Sequence, residues 1–377
     1  MNRNLLFIAI ALFTWGMGEG MFFNFQPIYL AQLGSDPQQI GLILSAFGAS
    51  MAITHIPAGH LADRIGRRPM LLAAWLTGLI AALVMGFARD INFFVAGMLL
   101  YGLTAFVSAP LSSYTTAARG AWSISRVLTL TSATFNLGMV LGPSLGGWIG
   151  EHYGLRTVYF FAAGVFAVSN IFLFFIEDQP IDQHNPESPP RGIFSNPRLR
   201  MFLAVYAFAV FAMFIATPLT PNFLEGVRGL SLSETGIIFT AGALGNALIN
   251  IWLGQREPRR GFIIAQILVA CFAVLIWKGT GIGIFALGYF LLGGFRAARP
   301  LAMAEMRALV HDSQMGLAYG VIETVGAIIF ILTPALAGFL YKRDPALVYP
   351  LALALIAVSI TISLVLAPKT ATSTPPP

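Results

Sequence analysis

Apolar stretches of membrane-crossing length recur along the whole chain, and no other feature constrains its fold as tightly. They run over residues 5–30, 40–62, 69–88, 91–115, 127–150, 155–176, 201–224, 231–254, 261–278, 281–308, 315–341 and 346–367. At 1.5 Å of rise per residue each covers a hydrocarbon layer of ~30 Å as a helix. Backbone groups in lipid must be satisfied within the segment, and continuous apolar runs do this as helices. The composition agrees: 57% of residues are hydrophobic and only 10% charged, against about 25% charged in soluble domains. The expected fold is an all-α membrane protein with twelve transmembrane helices.

The longest break between runs is 177–200, rich in proline (Pro180, Pro186, Pro189, Pro190, Pro197). It reads as an extended linker. It divides the chain into an N-terminal six-helix unit, 1–176, and a C-terminal one, 201–377. Arg3 opens an apolar run too long for a signal peptide and without a small-residue cleavage site, so the first run is a retained span. With an even number of spans both termini share a side. That side carries fourteen lysines and arginines and the other six, which places both termini in the cytoplasm.

The net charge of +6 is explained by those loops rather than by a nucleic-acid surface. The single cysteine, Cys271, lies in an apolar run, so no disulfide framework exists. No phosphate loop, H-E-x-x-H or cysteine–histidine spacing occurs, so neither a metal nor another cofactor is expected. Gly142–Gly146 satisfies G-x-S-x-G, but that pattern needs a strand–turn–helix setting which an apolar span does not give. The chain does not read as an enzyme.

The knot Gly59-His60-Leu61-Ala62-Asp63-Arg64-Ile65-Gly66-Arg67-Arg68 separates the second and third runs as a short polar loop. Its Gly59, Asp63, Arg64, Gly66, Arg67 and Arg68 resemble the G-x-L-a-D-R-x-G-R-R loop of the major facilitator superfamily. That resemblance covers nearly the whole chain. It implies two six-helix bundles around a central cavity and a loop that latches one state of the cycle. Topology and capping alone are the plainer account of the same residues.

In the fifth span, Gly138, Gly142, Pro143, Gly146 and Gly147 resemble the G-x-x-x-G-P-x-x-G-G motif of the drug:proton antiporter branch. Small residues four apart also let helix backbones approach closely, so a packing role is the alternative. The chain departs from that branch in the fourth span. Met98 precedes Gly102 where the branch carries an arginine.

Charges inside spans are costly and suggest function. Glu19 lies near the middle of the first span, with Phe22, Phe23 and Gln26 following at i+3, i+4 and i+7. The resemblance implies that the first span lines the cavity, where a carboxyl suits the uptake and release of protons. With Tyr101 and Thr104 of the fourth span, Phe22, Phe23 and Gln26 make an expected cavity wall; Ser108 and Ser112 repeat the Thr104 spacing and equally suit bonding back to their own helix. The tenth span carries Arg296 and Arg299, and the eleventh Glu323. Depth counting puts Arg299 level with Glu323, as for an ion pair, and Arg296 near Glu19. Arg296 either anchors an anionic substrate group or neutralises Glu19. His55 reads as a packed, hydrogen-bonded histidine.

The halves look related: Gly41 and Gly59 recur as Gly236 and Gly254, 195 positions on, and Pro27-Ile28-Tyr29-Leu30 is echoed by Pro221-Asn222-Phe223-Leu224. The function expected is proton-coupled export of small amphipathic or hydrophobic compounds by alternating access. A metabolite or organic-anion permease is the alternative. The expected setting is the inner (plasma) membrane, with a lipid bilayer, protons and a small molecule as partners and the chain acting as a monomer.

Overall fold

The computed structural model describes residues 3–178, 197–307, 309–310 and 315–366, and the side chains of 55–64, 125, 315–318 and 366 lie outside that description. Twelve long helices follow in order: α1 (Arg3–Gln32), α2 (Pro37–Ile65), α3 (Arg67–Phe87), α4 (Ile91–Ala117), α5 (Ile124–Tyr153), α6 (Leu155–Phe174), α7 (Pro197–Phe214), α8 (Leu232–Gly254), α9 (Pro258–Lys278), α10 (Ile282–Met306), α11 (Met315–Arg343) and α12 (Val348–Leu366). Ten of these windows are long and apolar enough to cross a membrane among the described residues.

The first six helices pack on one another in a pattern that the last six repeat. Helix α1 lies on α5 and α6, and α7 on α11 and α12; α3 packs on α4 and α6, and α9 on α10 and α12. Helix α1 shows no exposed residue from Phe7 to Leu30, nor does the chain from Val205 to Glu225, so both run through the interior. Their counterparts are bent alike. Helix α1 tightens to a 3-10 turn at Phe23–Phe25 before Pro27, and α4 does so at Thr104–Val107 before Pro110. The seventh apolar run, expected as one helix to 224, instead stops at Phe214 and resumes in short turns over Thr220–Asn222 and Phe223–Val227. Pro218 and Pro221 cannot donate to the ladder and exclude helix before them.

The polar knot between α2 and α3 is a correction. It is not a loop: α2 continues to Ile65 and α3 starts at Arg67, with Gly66 at φ +92° reversing the chain alone. Only glycine takes that φ without strain.

Two close helix crossings join the first six helices to the last six. A Cβ on Gly41 of α2 would strike the Pro334 carbonyl and Gly338 of α11; one on Gly236 of α8 would strike the Pro143 carbonyl and Gly147 of α5. Hydroxyls reinforce both. The Ala335 N–H donates to Ser45 Oγ (3.0 Å), and Thr240 Oγ1 donates to the Val140 carbonyl (3.1 Å) and shares a bond with Ser144 Oγ (2.7 Å). At the start of α2, Asp36 and Gln39 exchange backbone bonds as a capping box; Ser231 and Glu234 do the same for α8, 195 positions on. Each box then receives a charged group from the facing helix. Lys342 Nζ donates to Asp36 Oδ2 (2.9 Å), and the Ser233 N–H donates to Glu151 Oε2 (2.8 Å). The Asn222 amide adds a bond to the Pro27 carbonyl (2.9 Å). Every hydrogen bond between these two groups of helices, among the described residues, lies in the half of the molecule away from the termini. That end is closed.

Two measurements test this closure. Gly41→Ala and Gly236→Ala are each expected to destabilise the protein by about 1–3 kcal/mol, the usual cost of overpacking, whereas Gly164→Ala, with nothing within 4 Å of its added carbon, leaves the thermal midpoint unchanged. The second concerns pH. The Lys342 hydrogen bond holds Asp36 below the usual carboxylate range, and hydrogen bonds from Ser233 hold Glu151 below it too. A lowered carboxyl stabilises the closed state above its ordinary value of about 4 and loses that contribution as pH falls further. Spin-label distances across the closed end are expected to hold between pH 5 and 8 and lengthen below pH 4, with Glu151→Gln shifting them already at neutral pH.

Candidate functional site

The site builds outward from Glu19. Trp15, one turn earlier on α1, donates its indole N–H to Glu19 Oε2 (3.2 Å), and the Tyr101 hydroxyl of α4 donates to the same oxygen (2.9 Å). Both donors are fixed by rings. Trp15 stacks on Phe166 (4.4 Å between centroids, 19°) and leans on Trp75 (4.9 Å), while Phe22 meets Tyr101 edge-on (5.2 Å, 81°). Trp75 is held in turn by its bond to Ser169 Oγ (2.8 Å), which donates to the Ala11 carbonyl (2.6 Å). Glu19 is therefore rigidly placed yet only half-buried. No hydrogen bond between described residues reaches its second oxygen, Oε1.

Arg296 approaches from α10. Its side chain is exposed at mid-span, and among the described residues it has no hydrogen bond or ion pair. It forms no hydrogen bond or ion pair with Glu19. One turn on, Arg299 donates to Glu323 of α11 in an ion pair whose partners are both partly exposed. On α11, Gly320, Glu323, Thr324 and Phe330 are exposed along one helical face, while Ile328, Leu332, Leu336 and Phe339 are exposed on another. The second set is wholly apolar, as suits a face turned to lipid, whereas the first carries Glu323 and Thr324. Ser108 and Ser112 of α4 are exposed at the same end, where, among the described residues, no hydrogen bond joins the two groups of helices.

The expected cavity wall is largely elsewhere. Phe22, Gln26, Tyr101 and Thr104 are buried among neighbouring helices, and only Phe23 is half-exposed. For Gln26 the 3-10 turn at Phe23–Phe25 contributes: each of its residues advances about 120° rather than 100°, turning Gln26 by about 60° relative to Glu19; Phe22 instead packs ring to ring on Tyr101 and Tyr159. Thr104, Ser108 and Ser112 bond back to the carbonyls of Tyr101, Ala105 and Ser108. In α5, Gly138, Gly142 and Gly146 seat the backbone of α1 at Phe13, Met17 and Met21, while Pro143 and Gly147 meet α8. Of the polar knot, Gly59, Asp63 and Arg64 have side chains outside the described residues, as does His55. Arg67 opens α3, and Arg68 donates to Asp178 (3.1 Å) and to the last-turn Phe174 carbonyl of α6 (3.1 Å). Among the described residues no group of three or more histidine, cysteine or acidic side chains could hold a metal.

Sequence reasoning missed Trp15, Trp75 and Phe166. Trp15 sits four residues before Glu19, the spacing at which helix neighbours touch, so that contact had a signal. Trp75 and Phe166 reach the site through packing alone.

Among the described residues, twelve long helices in two matching sets, with a carboxylate and a guanidinium inside the spans, are the architecture of a polytopic membrane transporter. The chain belongs to the Major Facilitator Superfamily, whose family model matches residues 8–256, and it is not an enzyme. It is 26% identical to multidrug resistance protein MdtG of Proteus mirabilis (strain HI4320), over 92% of this chain and 85% of that protein. Multidrug resistance protein 1 of Bacillus subtilis (strain 168) is 22% identical over 98% and 97%. Among solved structures, the nucleoside transporter NupG superposes with a TM-score of 0.79 at 14% identity, over 97% of this chain and 98% of that one. The human organic anion transporter MFSD10 does so at 0.70 and 18%, over 96% and 99%. These likenesses show the fold.

The ion pair and the free arginine separate on stability. Arg299→Gln and Glu323→Gln are each expected to lower the thermal midpoint, and the double variant to recover it, with a coupling of about 1 kcal/mol or less for so exposed a pair. Arg296→Gln is expected to leave the midpoint unchanged.

Proposed function

We propose that the chain is a proton-driven exporter of small amphipathic or hydrophobic compounds. The observation that carries this reading is Glu19: a half-buried carboxylate in mid-span, held by Trp15 and Tyr101 through one oxygen, with no hydrogen bond between described residues to the other. A proton or a cationic group can reach Oε1, but not both at once. Such exclusion is what exchange requires. The multidrug resistance proteins to which the chain is similar support export, as does the glycine–proline pattern of α5.

The units that move are residues 1–176 and 201–377, joined by the 177–200 linker. The excess of lysine and arginine puts the termini, and so the cavity mouth, in the cytoplasm of a bacterial cell bounded by its inner membrane. The described conformation is then open inward and closed outward. Rocking about the two glycine crossings would open the far end. There Asp36–Lys342 and Glu151–Ser233 are the contacts to be broken, while Asp63 and the arginines of the polar knot would latch the opposite state. The protein acts as a monomer in the bilayer.

A second reading, an organic-anion permease, is favoured by Arg296, which has no partner among the described residues. A low-dielectric cavity with one fixed carboxylate and one fixed guanidinium is neutral when empty. It is neutral again when a proton sits on Glu19 and an organic anion on Arg296. Charge balance would then send proton and substrate the same way.

Proteoliposomes loaded with a pH dye decide between the two. The exporter reading expects proton flux opposite to an added lipophilic cation, reduced at least tenfold in Glu19→Gln. Flux with organic anions alone, moving with the proton and lost in Arg296→Gln, would replace it with the permease.

A further inference from the structure

Three phenylalanines from three helices meet at mid-span in the second set of helices. Phe214 ends α7, Phe295 precedes Arg296 on α10, and Phe330 lies on α11 seven residues past Glu323. Phe214 and Phe295 stack nearly parallel (5.4 Å, 11°); Phe330 stands at 56° to the first (4.5 Å) and 65° to the second (6.1 Å). The pair forms one wall and the third ring an adjoining one. None of the three is sealed, and Phe330 keeps 38% of its surface open. It opens on the inward face of α11, since Ile328 and Leu332 mark the lipid side.

The first set of helices gives the contrast. Its aromatic cluster of Trp15, Trp75, Tyr101 and Phe166 is closed over, no member being more than 7% exposed. That cluster needs no further partner. The open corner does: three rings, one of them 38% exposed, on the helices that carry Arg296 and Glu323 leave apolar surface uncovered. A flat ring laid against Phe330 presents its edge to the stacked pair, or the reverse. Both are favoured geometries for aromatic contact. An alkyl chain of equal size fills the volume but gains neither.

We infer that Phe214, Phe295 and Phe330 form a subsite for an aromatic ring, so that the compounds this protein binds are aromatic amphiphiles. This rests on reading the cavity as the transport site. It holds for either sign of substrate charge, because the second set of helices carries Arg296 next to Phe295 in the chain and the first set carries Glu19.

The test is binding rather than flux. Purified protein in nanodiscs is titrated calorimetrically with matched probes, benzyltrimethylammonium against hexyltrimethylammonium and benzenesulfonate against hexanesulfonate. For at least one charge the wild type is expected to bind the ring-bearing member about tenfold more tightly, the effect of one to two good aromatic contacts. Phe330→Leu keeps the apolar bulk and is expected to bring that ratio near one, changing the alkyl member less than threefold. Phe330→Tyr restores the ratio, and Phe214→Leu repeats the loss. Equal binding of ring and alkyl probes by the wild type, binding of neither ring probe, or a ratio intact in both leucine variants would overturn the inference. Ring-selective binding without any transport of the probes would condemn the exporter reading and leave the subsite standing.

Discussion

The molecule depends on two places where helix backbones come into direct contact. At Gly41 against Pro334 and Gly338, and at Gly236 against Pro143 and Gly147, no side chain separates the facing helices. Lipid gives little drive to bring one apolar helix against another, so close packing and a few polar bonds must hold them. Small residues give the approach, and Ser45 and Thr240 give the polar bonds. Because both crossings lie on the same side of the membrane, the rest of the interior need not close. The proposed transport cavity is the space that these contacts would leave at the other end.

Within that space the charges are arranged unequally. Glu19 is immobilised by an aromatic scaffold and shows one oxygen; Arg296 is long, exposed and uncommitted. Arg299 and Glu323 satisfy each other closer to the mouth. A solute entering from the mouth would pass a neutral pair and then meet a carboxylate and a guanidinium. The first set of helices thus contributes a carboxylate held by hydrogen bonds, and the second an exposed guanidinium and a partly exposed aromatic corner.

Much of the fold could be read from residues alone. Apolar run length found twelve helices, because lipid punishes any other backbone. The 195-residue echo of Gly41 in Gly236 reappears as matched crossings and matched capping boxes at Asp36 and Ser231. Depth counting likewise brings Arg299 level with Glu323, where the structure joins them. Other features needed coordinates. Periodicity assumes 100° per residue, and the 3-10 turn at Phe23–Phe25 broke that assumption for Gln26. The Pro218 break looks in sequence like uninterrupted span. The open phenylalanine corner escaped notice because thirty-one phenylalanines look alike until burial separates them.

The single-residue elbow at Gly66 has a mechanical side. Helix α2 forms one of the two crossings at one end and, at its other, turns directly into α3 with no slack between them. The first turn of α3 is tied by Arg68 to the end of α6 and to Asp178, where the chain leaves the first six helices. A swing of α2 away from α11 would therefore act as a lever, its far arm pulling on the segment that tethers one half of the protein to the other.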